Sequence, residues 1–345
     1  MGPDQAVLAA TRRLIVLLAL PMLLLLAVLT ALQYRQRMDE AESALRLRLA
    51  QRAQDLEQLV RPATDHVHDL RALMLSNWDA PPDPGPALRQ ALAPRQHRGR
   101  PDGWTLDNAS DVERTRYGQV WWAALDGSTM PEPWLRRAAL FVEHARVAHQ
   151  RAPGFEATWF ASTDANTSFG YPHLPTARIV QALGTEGMTG IAPLRVQATA
   201  SSQAWLQRMA PATTWWGSPD ISQLHGQLVV SHGAMVIVEG RYVGEVSVDF
   251  RLDALQQRVA AWAMADGARH WIVNERSRGG DGVPEVMADS SQPLAAPAGR
   301  RWTPGSQRES LATALAEHLP IGVTPAAAQQ ALQAAGTVQT VGDWW

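Results

Sequence analysis

QLVVSHGAMVIVEGRYVGEVSVDFRLD, residues 227–253, sets two apolar, β-branched arms on either side of Glu239-Gly240. Glycine takes a positive φ at no steric cost, and 241–250 resumes the apolar alternation, so the stretch predicts a β-hairpin. The second arm, with Tyr242, Val243, Val246 and Val248, ends at Asp249-Phe250. It runs straight into Leu252, Leu255, Val259 and Trp262, whose spacing is helical. Two strands, a tight turn and a helix start are therefore predicted in a row.

Working outward, the 345 residues suffice for two domains with real cores, and 46% hydrophobic against 19% charged is a globular balance enriched by one apolar run. A formal net charge of −2 without a basic stripe excludes a nucleic-acid binder. There is no lysine, so every basic residue is an arginine, which reads as codon bias rather than guanidinium chemistry. The absence of cysteine excludes disulfides, thiol nucleophiles and cysteine metal sites.

The uncharged run 14–32 is long enough to cross a bilayer as a helix at about 1.5 Å per residue. It exceeds the apolar core of a signal peptide and no A-x-A site follows, so an uncleaved anchor is expected. From 38 to 77 the pattern is helical, with Leu45, Leu49, Leu56, Leu59, Val67, Leu70 and Met74 on one stripe. Two readings stand side by side: a signalling helix paired with a second copy, or a helix packed on its own domain. Pro62 is expected to kink or interrupt it.

Pro81–Pro86 ends this helix, and 95–103 reads as a polar loop. A strand over 120–125, an amphipathic helix over 134–149 and a strand over 156–162 follow, the last with Thr158 and Phe160 opposite Trp159 and Ala161. Residues 164–175 read as a turn-rich segment and 201–210 as a short helix. Beyond the 252–265 helix, 270–274 and 286–289 read as a strand pair, 306–318 and 324–335 as helices, and 337–345 as the start of a strand.

Gly240, Arg241, Tyr242, Val243, Gly244, Val246, Asp249, Phe250, Leu252 and Leu255 follow G-R-hydrophobic-x-G-x-V-x-x-D-hydrophobic-x-L-x-x-L. In this the chain resembles the end of the ligand-binding half of a double Cache sensor domain. Segment 159–172 and the W-x-x-P approach at 215–220 extend the likeness, which covers roughly 14–345 and is strong within 205–255. It implies an α+β fold of PAS-like antiparallel sheets behind an anchor (14–32) and a signalling helix (33–80). A membrane-distal ligand-binding lobe would span 100–255, and a membrane-proximal lobe, expected to be truncated, 268–345. It also implies an N-terminus (1–13) in the cytoplasm, the anchor in the inner membrane, the sensor in the periplasm and a homodimer through 38–77.

The amino-acid-binding variety of this family clamps its ligand with an arginine, a Trp-Tyr pair and an aspartate, as guanidinium suits carboxylate and carboxylate with aromatic faces suits ammonium. Here Trp205 and Asp249 match, but Gln203 stands near the arginine position and Leu206 near the tyrosine. Arg208 and Asp220 offer charges nearby, and Trp159, Tyr171, Trp215 and Trp216 are candidate aromatic walls. Against this stands ordinary core packing for each aromatic, and a strand-end or cap hydrogen bond for Asp249.

Ser231 and His232 point to opposite faces of a strand, and no G-x-S-x-G, H-E-x-x-H, P-loop or G-x-G-x-x-G is present. No catalytic residue, metal or cofactor is expected. The leading expectation is a small-molecule sensor feeding a diguanylate cyclase, with a histidine kinase and then a chemoreceptor as next outputs. A membrane-anchored interaction protein without ligand is the reading from another class.

Overall fold

The computed structural model describes residues 3–124, 126–164, 166–191, 213–222, 226–266, 270–274 and 285–290. The chain divides between Leu56 and Glu57 into two compact units. The first carries most of helix α1 (Pro3–Ser76), with Leu20 and Met22–Leu26 exposed. Among the described residues this is the one helix long and apolar enough to cross a membrane. Helix α1 runs through Pro62 without interruption, so of the expected kink or interruption the second does not occur.

In the second unit, α1 is held by its own domain. Val60, Ala63, Val67, Leu70 and Met74, at alternating three- and four-residue steps, are all buried. This favours packing on its own sheet over pairing with a second copy for that face, and burial of these positions explains how the helix tolerates Pro62. Arg71 adds a hydrogen bond from Nε to the Met235 carbonyl at 2.9 Å.

The body is an antiparallel sheet of β1 (Ala93–His97), β2 (Arg100–Thr105), β3 (Gln119–Trp122), β4 (Phe155–Ser162), β5 (Thr167–Tyr171), β6 (Thr214–Ile221), β7 (Leu228–Val238) and β8 (Arg241–Arg251). Their order is β1-β2-β3-β5-β4-β8-β7-β6. Helices α2 (Pro86–Ala91), α3 (Asp111–Tyr117), α4 (Glu132–Arg151), α5 (Thr176–Leu183) and α6 (Leu252–Asp266) complete it, with a pair β9 (Trp271–Asn274) and β10 (Glu285–Asp289). The α+β class with an antiparallel sheet and an apolar N-terminal helix is thus as the sequence predicts. Residues 95–103 form the β1–β2 hairpin rather than a loop, and β5 lies within the expected turn segment. The helices and strand expected beyond 290, and the helix at 201–210, lie outside the described residues.

One sheet face is covered by α1 and α4. Phe160 and Phe169 stack at 4.8 Å between ring centres, Phe141 of α4 meets both, and Trp134 and Trp78 close the cluster. Arg137 lies over the Trp78 and Trp134 rings at 4.1 and 4.9 Å and donates from Nε and Nη2 to the Trp78 carbonyl at 3.0 and 2.5 Å. The end of α1 is thereby tied to α4.

The opposite face is covered over β3 and β4 by Leu174, Ile179, Met188 and Ile191, packed on Trp121, Ala123 and Ala157. Buried Asp102 of β2 fixes this cover: it pairs with Arg95 and accepts from the Met188 and Thr189 amides at 3.0 and 3.2 Å. Asp107 does the same at the start of α5, accepting from the Thr176 amide at 3.1 Å.

Helix α3 opens on a capping box, with Ser110 Oγ accepting from the Glu113 amide and Glu113 accepting from the Ser110 amide. Ser110→Ala is expected to cost about 1 kcal/mol in urea denaturation, and Ser110→Asp to restore most of it.

Candidate functional site

The β7–β8 hairpin builds the site. Its turn takes φ of 48° at Glu239 and 76° at Gly240, the two positive values of a type I′ two-residue hairpin loop. The turn alone pairs Val238 with Arg241, but a bulge opposite Val236/Ile237 leaves Val243 as an extra residue. From there on the register is shifted by one, which sets Ser231 across from Asp249 and Gly233 across from Ser247.

A row of facing residues crosses five strands on the side away from α1: Gly170, Trp159, Ser247, Gly233 and Trp215. Both tryptophans lie over glycines of the neighbouring strand. A Cβ on Gly233 would stand 2.5 Å from Trp215 Cε2, and one on Gly170 would stand 2.9 Å from Trp159 Cζ3. Indole rings thus flank a floor of small residues, Ser231, Gly233 and Ser247.

Asp249, half-buried, stands in the adjoining row with Ala157 and Ser231. Its Oδ1 accepts from Ser231 Oγ at 2.6 Å and its Oδ2 from Trp159 Nε1 at 3.3 Å. Asp220 joins this face through its pairing with Val229. Glu156 sits at the β4 bulge and accepts from Ser222 at 2.6 Å. Burial pushes the Asp249 carboxyl up to about 6 against its two hydrogen bonds, with the charges of Asp220 and Glu156 adding to the rise. Among the described residues no arginine pairs with Asp249.

Of the residues expected to form a site, the structure brings Trp159, Trp215, Asp220 and Asp249 to one face. Tyr171 and Trp216 are corrected: both lie on the α1/α4 side. Tyr171 pairs with Thr158 and meets His149 at 5.1 Å, and Trp216 stacks on buried His232 at 4.4 Å. Strand alternation assigns them there, so the four aromatics do not share one pocket. Trp205 and Arg208 lie outside the described residues.

Ser231 and His232 face opposite sides, as alternation requires. Sequence pattern alone does not place Ser231 as a hydrogen-bond donor to Asp249. It depends on the bulge, since the turn by itself would set Asp249 against Val230. Among the described residues no group of three or more metal-binding side chains is placed to hold an ion.

No family model and no curated protein matches the chain. Among solved structures it is similar to the ligand-binding domain of the Pseudomonas fluorescens chemoreceptor CtaA in complex with L-isoleucine. That match has 16% identity and a TM-score of 0.32, over 54% of this chain and 59% of that one. The Pseudomonas aeruginosa PAO1 amino acid chemoreceptor PctC, in complex with GABA, gives 14% identity and 0.28, over 44% and 55%. The Campylobacter jejuni chemoreceptor Tlp3, in complex with 4-methylisoleucine, gives 10% and 0.24, over 70% and 71%. The chain thus spans less than two thirds of the first two domains.

Proposed function

We propose that this chain is the sensory portion of a membrane-anchored receptor and that it takes a small organic cation on the Trp159–Asp249 face. The observation that carries the reading is the Asp249 carboxylate, fixed by Ser231 and Trp159 beside a small-residue floor flanked by indoles. A carboxylate orients an ammonium, and aromatic faces attract it. Two further carboxylates, Asp220 and Glu156, add to the negative field. The sequence likeness to double Cache sensors around 240–255 supports the same reading, with the body outside the inner membrane.

A ligand acts through such a face only if it favours one of two arrangements of the domain. The output we favour is a diguanylate cyclase, followed by a histidine kinase and a chemoreceptor. The chain itself then carries no catalysis, and nucleotide cyclisation or autophosphorylation by the purified protein would overturn this. An interaction protein with an empty fold is the competing reading, and it predicts that no small molecule raises the melting temperature.

The test is a thermal-shift and calorimetric screen of the full chain in detergent against primary amines, quaternary ammonium compounds and carboxylates. A bound ligand at about 100 times its Kd adds about 2.7 kcal/mol. Asp249→Asn is expected to weaken binding of the amine hits by about 30-fold or more. The unliganded variant should gain on the order of 1 kcal/mol at pH 8, because a carboxyl raised above its ordinary value destabilises the fold as pH climbs through about 6. Hits confined to carboxylates, or amine binding unchanged in Asp249→Asn, would refute the site.

A further inference from the structure

On the other side of the sheet, histidines gather where α1 docks. The His66 ring of α1 stacks on His144 of α4 at 6.1 Å and on Phe155 of β4 at 5.2 Å. His149 of α4 meets Phe155 and Tyr171 edge-on at 5.6 and 5.1 Å. Both Nε2 atoms converge on one hydroxyl, Thr158 Oγ1 of β4, at 3.2 Å from His66 and 2.9 Å from His149. A threonine hydroxyl has one hydrogen to give, so it donates to one neutral imidazole and accepts from the other.

We propose that His66 and His149, joined through the Thr158 hydroxyl, form an acid-operated latch that holds residues 57–76 of α1 on α4 and β4 near neutrality and releases them on acidification. His66, nearly excluded from water, faces no carboxylate among its described contacts; what face it from α4 are the two further imidazoles of His144 and His149. His149 faces Glu156 of β4 and Tyr171 of β5. A further imidazole lies on the β7 flank of α1. His232 is buried under the influence of His68, with Nδ1 donating to the Trp215 carbonyl at 2.9 Å and Nε2 without a hydrogen-bond partner among the described residues. Protonation of His66 and His149 therefore puts like charges together where, among their described contacts, Glu156 is the one carboxylate that faces them.

Burial, then the neighbouring imidazoles, depress His66 to about 3, and burial depresses His149 to about 4 in spite of Glu156. Both lie below the ordinary value of 6.5, so their contribution to docking is whole above pH 6.5 and is lost as pH falls toward 4 and then 3. Over that span each histidine shifts the docked-to-released ratio by up to about tenfold per pH unit. The mechanism does not depend on a ligand on the opposite face.

Hydrogen exchange on the full chain in detergent tests this, with rates corrected for intrinsic pH dependence. Between pH 6.5 and 5.5, protection of residues 57–76 is expected to fall by up to about 100-fold, and that of β7 and β8 by less than about threefold. His66→Gln and His149→Gln should each reduce the fall to about tenfold, and the double variant should remove it. If His66→Gln does not fold, His66→Phe keeps a ring on Phe155 without a titrating group and should give the same reduction. A fall shared equally by the sheet, or one that persists in the double variant, would overturn the latch.

Discussion

Phe160→Ala is expected to lower the unfolding free energy by about 3–5 kcal/mol, read as the urea midpoint at unchanged slope. Phe160 is wholly buried and sits among Phe169, Phe141, Trp134 and Trp78, the rings that bring β4, β5, α4 and the end of α1 together. Removing it opens a cavity that stacked aromatics on four elements cannot close by small shifts, which places the cost at the upper end for large-to-small changes. Phe160→Leu, which refills most of the volume, should recover more than half of the loss. Equal destabilisation by both would show that ring stacking, rather than volume, holds the layer.

Gly170→Ala is the second large effect, and it reads out the site. A methyl group there would stand 2.6 Å from the Thr158 carbonyl and 2.9 Å from Trp159 Cζ3. The carbonyl belongs to a central strand and cannot retreat, so the strain falls on β5 and on the indole. A loss of about 2–3 kcal/mol is expected, at the high end for an overpacked position. Because the displaced ring is the one that donates to Asp249, affinity for an amine should fall with stability. Gly233→Ala meets only the movable Trp215 ring in its closest contacts and should cost less. If Gly170→Ala leaves amine binding intact, Trp159 does not orient Asp249 in solution.

The hairpin and the helix after it were legible because 228–251 combines alternation with a turn that only certain residues can make. The first hairpin was hidden for the opposite reason. Its outer strand is Ala93–His97, an exposed edge, and edge strands carry polar side chains that look like a loop. Strand β5 is five residues between Asn166 and Pro172, and its Ser168-Phe169-Gly170 gives too few positions for a period to show. Glycine there serves the tryptophan across from it, not a turn.

The candidate site is legible by residue type but not by face. Trp159, Trp215, Asp220 and Asp249, expected from their positions, share one face of the sheet. Tyr171 and Trp216 were singled out on the same grounds and fall on the other side, because a single residue of register decides the face in a strand. Two irregularities, at Val243 and between Trp216 and Pro219, set that register, and neither has a composition that betrays it. The histidine cluster was equally hidden. The partners of His66 lie 78 and 83 residues further on, at His144 and His149, beyond the reach of any local spacing.

The Arg137 clamp at Trp78 has a mechanical consequence. A cation seated on two indoles and bonded to the Trp78 carbonyl resists both axial and sideways displacement of that point. His66 lies twelve residues upstream, roughly 18 Å along a helix. A rod freed at His66 and pinned near Trp78 swings about the pin instead of sliding past it. Its travel is then smallest at Met74 and grows toward Glu57, so release of the proposed latch would tilt this segment rather than slide it along its axis.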